Sequence, residues 1–233
     1  MATEMTAGSA VERLMKTGAH FAQARSRRHP TMKPFILGAK ARTEIVDLEM
    51  TQGQLEAAKK ALQTLATEGK TVLFVGGKVE VAQAVKAAAK SVGQPFVAGR
   101  WLGGTLSNFT EIKKRIDRLK DLSEKRDTGT WEKQYTKLER VMLDREIARL
   151  ANRLEGIEEL AKRPDALLIV DAKHEKHATK EANDLGIPVI AVMGSDNNLR
   201  EAIFPIVAND ASRETVAYLL GELSAAYQAG RAA

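Results

Sequence analysis

Five short stretches of the chain are apolar at nearly every position: 71–75 (TVLFV), 95–98, 165–171 (DALLIVD), 187–193 (IPVIAVM) and 203–207 (IFPIV). Unbroken apolar runs of this length predict strands of a parallel sheet covered on both faces. Between them the apolar residues recur at helical spacing. Leu55, Ala58, Leu62 and Leu65 follow a capping box at Thr51-x-x-Gln54, and Gly69 closes the segment. Val79, Ala82, Val85 and Ala89 run to Gly93, His174 to Leu185 ends at Gly186, and Ala211 to Tyr227 turns Val216, Leu219, Leu220 and Leu223 inward. Strand alternating with helix predicts βαβ units and an α/β fold with a mainly parallel sheet. A further strand is expected at Glu44–Leu48, and Pro205 places the last run at an edge.

One interval breaks the alternation. Ser107 to Ala161 reads as two long helices inserted in a crossover. The first begins at Asn108 with Glu111 three residues on, and carries Phe109, Ile112, Ile116, Leu119 and Leu122 as a narrow stripe. Asp127-Thr128-Gly129-Thr130 has turn chemistry. The second arm carries Tyr135, Leu138, Met142, Leu143, Ile147, Leu150, Leu154 and Ile157, with a slip of register near Leu143. The two stripes predict an antiparallel coiled-coil hairpin, with its other faces in solvent and free for a protein partner. The domain boundaries that follow are an α/β domain of residues 1–106 and 162–233, and a hairpin insertion at 107–161.

Charge changes the picture at the other end. The chain carries a net charge of +6, and residues 1–42 hold all of it, with eight Lys/Arg against Glu4 and Glu12. A neutral body with a basic leading segment points to a polyanionic partner. Residues 1–8 read as disordered, and Ser9 as the cap of a short helix through Val11, Leu14 and Met15 that stops at Gly18. The stretch beyond, GAHFAQARSRRHPTMKPFILGAKART, reads as an extended surface loop. Arg25, Arg27, Arg28, Lys33, Lys40 and Arg42 in it suit RNA phosphates, the alternative being a merely solvated basic loop. With no cysteine there is no disulfide framework and no thiol nucleophile. No apolar run reaches bilayer-spanning length and the first residues do not read as a signal peptide, so a cytoplasmic setting is expected, with no membrane partner.

Small-molecule chemistry is thinly represented. Gly76-Gly77 follows a strand and precedes a helix, yet GGKVEVA matches no phosphate-loop pattern, so a tight turn is the better reading. Asp171, His174 and His177 could share a divalent ion but lack an evident fourth ligand. Asp171 and Asp196 follow consecutive strands without a second catalytic element, and no nucleophile elbow occurs. Trp101, beside Arg100 in a glycine-rich loop, could stack on a base or lie as a lid on the sheet end. Together these weigh against an enzyme, a cofactor, a metal and a small-molecule substrate, the competing reading being a nucleotide- or metal-dependent α/β enzyme that uses the Gly76-Gly77 turn or Asp171 and His174.

Several stretches resemble the ribosomal protein S2 family in its bacterial form. They are GAHF at 18–21 with the basic loop to MKPFI at 32–36, FVGGK at 74–78, RWLGGTLSNF at 100–109, PDALLIVDAKHE at 164–175, KEANDLGIPVIAV at 180–192 and NDASR at 209–213. RWLGGTLSNF and EANDLGIPV are the specific ones. Ala22-Gln23 and Arg28-His29-Pro30 depart from the Gly-His and Trp-Asn-Pro usual at those places. The resemblance implies a flavodoxin-like domain with a protruding coiled-coil hairpin. It also implies a structural role in the cytoplasmic small ribosomal subunit, with contacts to small-subunit rRNA and to neighbouring ribosomal proteins, including the mRNA-binding ribosomal protein S1. Arg100 and Trp101 join the basic segment as expected rRNA contacts.

Overall fold

Strands β4 (Val72–Val75), β5 (Phe96–Val97), β6 (Ala166–Val170), β7 (Val189–Met193) and β8 (Phe204–Val207) form the parallel sheet that the apolar runs predict. The computed structural model describes residues 10–129, 131 and 134–232, so the expected disorder at 1–8, the Ser9 cap and Thr130 of the hairpin turn lie outside the described residues. The sheet order is β5-β4-β6-β7-β8. Counted from β4, this is the 2-1-3-4-5 order of flavodoxin-like folds. Pro205 lies on the edge strand β8, as expected of a residue with no N–H to give.

Alternation along each strand divides the core in two. Phe74, Leu168, Val170, Ile190, Val192 and Ile206 point to one face, under α2 (Leu48–Thr67), α3 (Val79–Ser91) and α7 (Arg213–Ala232). Leu73, Val75, Leu167, Ile169, Ala191 and Met193 point to the other, under α4 (Phe109–Asp127), α5 (Lys137–Leu154) and α6 (Lys176–Asp184). Every residue of β4, β6 and β7 is buried, which is why these strands read as unbroken apolar runs. The closing helix α7 is tied to its neighbours by Lys59–Glu222 at 2.5 Å and by Tyr227 Oη donating to the Lys70 carbonyl at 2.8 Å.

The amino-terminal segment is built rather than looped. Residues 10–16 form helix α1. Strands β1 (Phe21–Ala24), β2 (Ile36–Lys40) and β3 (Thr43–Val46) make a separate antiparallel sheet in the order β1-β3-β2. Two 3₁₀ turns, Arg25–Arg27 and Pro30–Phe35, join β1 to β2. The extended loop expected here is therefore corrected to a small subdomain. Its lack of long periodicity reflects short strands and two 3₁₀ turns, none of which leaves a sustained pattern.

Two predicted capping boxes do other work. Helix α2 starts at Leu48, capped by Asp47, which accepts from the Glu49 N–H at 2.9 Å. Thr51 and Gln54 instead pair the edge strand: Thr51 Oγ1 donates to the Val207 carbonyl at 2.6 Å, and the Val207 N–H donates to Gln54 Oε1 at 2.9 Å. Asn108 makes no side-chain cap on α4, and Glu111 pairs with Lys114 at 2.6 Å. A complete capping box forms at Thr136 and Glu139, at the start of α5.

In the inserted region α4 buries its whole predicted stripe. Helix α5 buries Ile147 and Leu154, with Leu143 and Leu150 half-buried, and Arg118 meets Glu146 across the pair at 3.5 Å. Leu138 and Met142, expected on the inner face, are 71% and 62% exposed. The inner face runs through 140, 143, 147, 150 and 154, at spacings of three and four, and positions 138 and 142 fall off it. Trp131, which no periodicity singled out, is 3% exposed and packs edge-on to Tyr135 in the same cluster.

Candidate nucleic-acid interface

In a doubly wound sheet the strands' carboxyl ends form the usual ligand crevice. Here that crevice is filled by the chain's own side chains. Lys78, just after β4, places its ammonium on Asp171 at the end of β6 and lies 3.3 Å from Asp210, beyond β8. Burial opposes the charge on Lys78, but Asp210 and Asp171 outweigh it and raise its pKa. Asp171 is also desolvated, yet Lys78 and the His174 N–H hold its carboxyl below the usual range. Asp210 goes the other way. Burial and the Asp171 charge push it up to about 7 against the pull of Lys78.

The Gly-Gly turn serves this packing. A Cβ at Gly77 would lie 2.6 Å from the Gly99 carbonyl, and the Gly77 N–H donates to Glu175 Oε1 at 2.9 Å. The N–H that would face a phosphate is thus already used. Asp171 has a φ of 63° and accepts from the His174 N–H at 3.1 Å, so it closes a tight turn. His174 Nδ1 lies 2.8 Å from Glu175 Oε1, and His177 is exposed. Asp171, His174 and His177 therefore do not converge, and no set of three or more such side chains does so among the described residues.

The two most specific sequence motifs meet at one carboxylate. Glu181, on α6, accepts from Trp101 Nε1 at 3.2 Å, from the N–H groups of Gly104, Leu106 and Ser107 at 2.8, 3.0 and 3.1 Å, and from Ser107 Oγ at 3.2 Å. Burial raises its pKa, but these donors outweigh burial and hold the carboxyl below its usual range. The loop of residues 99–108 is thereby fastened to α6. Trp101 is 7% exposed and packs in the core of that face, so of the two roles open to it the structure seats it as the lid. Arg100 beside it is exposed.

The basic segment lies over the carboxyl end of β7. The Gln23 N–H donates to Ser195 Oγ at 3.0 Å, the His29 N–H to the Ser195 carbonyl at 2.9 Å, and the Leu199 N–H to Thr31 Oγ1 at 3.2 Å. His29 caps the second 3₁₀ turn, and Met32 is fully buried beneath it. On this frame Arg25, Arg27, Lys33, Lys40 and Arg42 all face solvent, and none makes an ion pair within the described residues. Arg28 does not join them. Its guanidinium lies 2.7 Å from Glu44, which is 2% exposed, so its charge is committed inside the subdomain. Sequence reading could not separate Arg28 from its neighbours because Glu44 lies 16 residues on, in β3.

The tip between β2 and β3 carries strain. Ala41 and Arg42 have φ of 48° and 72°. A two-residue hairpin turn of this hand favours Asn-Gly or Gly, and a side chain there costs about 1 kcal/mol. Lys40 and Arg42 are held out at this tip, beyond an exposed Leu37. A family model described as Ribosomal protein S2 matches residues 14–230 of the chain.

Proposed function

The chain belongs to the ribosomal protein S2 family, and from that premise we propose that its amino-terminal subdomain anchors it to the phosphates of small-subunit rRNA. As a member of this family it is a structural protein of the small ribosomal subunit and takes part in translation rather than in enzymatic catalysis. No helix of the described residues is long and apolar enough to cross a membrane.

The observation that carries the anchor is the set of five outward cations on a folded ribbon, none of them ion-paired within the described residues: Arg25, Arg27, Lys33, Lys40 and Arg42. A folded frame holds their backbone in place, so little backbone order has to be gained on binding. Arg100 extends the surface, and Trp101 supports the loop on which Arg100 stands. The α/β body spaces these contacts. The exposed apolar residues of α5 support docking of neighbouring ribosomal proteins, and ribosomal protein S1 is the partner we assign to that face.

The test is co-sedimentation of the protein with small subunits as salt is raised. Arg25→Ala with Arg27→Ala should weaken association and flatten its salt dependence, by about 0.7–0.9 in log–log slope for each phosphate left unneutralised. Arg28 is left intact, because its removal would strand Glu44 and confuse folding with binding. Unchanged affinity and slope would refute the anchor.

A further inference from the structure

The two sheets have four outer edges, and the chain covers three of them itself. At β5 the Phe96 N–H donates to the Gly156 carbonyl at 3.0 Å. At β8 both backbone groups of Val207 are taken, by Thr51 and Gln54. At β1 the Gln23 N–H donates to Ser195 Oγ at 3.0 Å. The fourth edge, β2, is open. Residues 37–40 are all exposed, Leu37 at 69%, and none of their N–H or carbonyl groups bonds beyond β3 among the described residues. Lys40 and Thr43 flank a two-residue turn and form its hydrogen-bonded pair, so Ala39, the next residue, turns its N–H and carbonyl away from β3. A bulge between Ile36 and Gly38 ends this regular stretch. A Cβ at Gly38 would meet nothing within 4 Å, so another backbone has room to approach.

An open N–H and carbonyl beside an exposed leucine suit a further strand, whose backbone satisfies both groups and whose side chains cover the leucine. Charge decides what that strand carries. Lys33 precedes the edge, Lys40 and Arg42 follow it, and the one carboxylate between residues 25 and 46, Glu44, is buried against Arg28. An acidic segment is drawn to this field, whereas a second copy of the chain would bring its own Lys40 and Arg42 against the first pair. We propose that β2 is a docking edge for an extended, acidic segment of a partner protein, which joins the three-stranded sheet as a fourth strand and takes Leu37 as its apolar contact. This goes beyond the rRNA anchor, since it uses an outward backbone pair and an apolar side chain that phosphates do not call for. Few residues can pair along so short an edge, which makes the contact weak and reversible.

The Ala39 N–H reads the site directly. In the free full-length chain it should exchange quickly with solvent, as an unbonded amide does. Titration with the end-blocked heptapeptide Glu-Val-Thr-Val-Thr-Val-Glu should slow that exchange by about tenfold at saturation and shift the amide resonances of residues 37–40. The same peptide with Lys in place of both Glu should bind about tenfold more weakly. Ala39→Pro removes the outward N–H at an edge position, where proline is tolerated, and takes no bond from β3. It should abolish the shifts at Leu37 and Gly38 at an unchanged melting temperature. Leu37→Glu, a change at an exposed side chain, keeps the idea testable where the proline variant fails to fold, and should weaken binding about fivefold by repelling the acidic peptide. No protection of Ala39 at about millimolar peptide, equal binding of the lysine peptide, or binding that survives the substitutions would overturn the proposal. Protection of Ala39 on raising the protein concentration alone would overturn it in favour of a second copy. Protection by a uridine hexanucleotide equal to that by the acidic peptide would overturn it in favour of RNA.

Discussion

Lys78 supplies one positive charge to two buried carboxylates, and the three cannot all be satisfied at neutral pH. Asp171 takes the shorter contact and ionises readily, while Asp210, 3% exposed, is left with a pKa of about 7. In the unfolded chain an aspartate titrates near about 3.9. Between those values the folded protein holds a proton that the unfolded chain has released, so stability from Asp210 is full below about pH 4 and declines as pH rises towards 7. Asp171 has the opposite sign: its lowered pKa gives stability above the ordinary carboxylate range that is lost as pH falls. Asp210→Asn removes only the first effect. The melting temperature of the variant minus that of the parent should therefore grow as pH is raised from 5 to 8, other carboxylates cancelling in the difference. A difference that stays flat across this range would mean that Asp210 is ionised throughout. Nothing in the sequence signalled this triad. Lys78, Asp171 and Asp210 are far apart in the chain, and only the parallel register of β4, β6, β7 and β8 brings their ends together.

At the scale of elements, what could be read in advance was what depends on local spacing. The strands 72–75, 166–170, 189–193 and 204–207 fall inside the predicted runs, because burial on both faces leaves a continuous apolar signature. Capping was harder to read, because Thr51 and Gln54 suit a helix start and an edge strand equally, and the choice depends on β8, more than 150 residues away. The clearest element-scale device is Glu181. One carboxylate on α6 takes the place of a cap for the loop that opens α4, which explains why the two most distinctive motifs of the chain are coupled. Glu181→Gln keeps the shape but turns one oxygen into a donor facing N–H groups. It should lower stability by about 1.5–3 kcal/mol, the range for hydrogen bonds to a charged group. It should also shift Trp101 emission, because the indole N–H loses its carboxylate partner. Loss of stability without a spectral shift would show that the indole is held by packing alone.

For the whole molecule, the basic amino-terminal segment and the exposed apolar strip of the inserted region stand on different elements. The cations of residues 25–42 stand on the small amino-terminal subdomain, whereas the large exposed apolar side chains of the inserted region stand on α5: Leu138, Val141 and Met142, at 71, 41 and 62% exposure. The sequence pattern placed Leu138 and Met142 between helices by joining them to Ile147 and Leu154 through a slip of register near Leu143. The register that buries Ile147 and Leu154 turns them outward. An apolar strip of this kind contributes nothing to the fold in water and is expected to be covered by a partner. Leu138→Ser together with Met142→Ser tests this division of labour. Since neither side chain is buried, stability should change by no more than about 0.5 kcal/mol. Co-sedimentation of the chain with the small subunit should keep its affinity and salt slope, because the proposed phosphate contacts lie elsewhere. Retention of ribosomal protein S1 on subunits carrying the variant should fall. If S1 is retained fully while rRNA binding drops, the roles of the two surfaces are reversed.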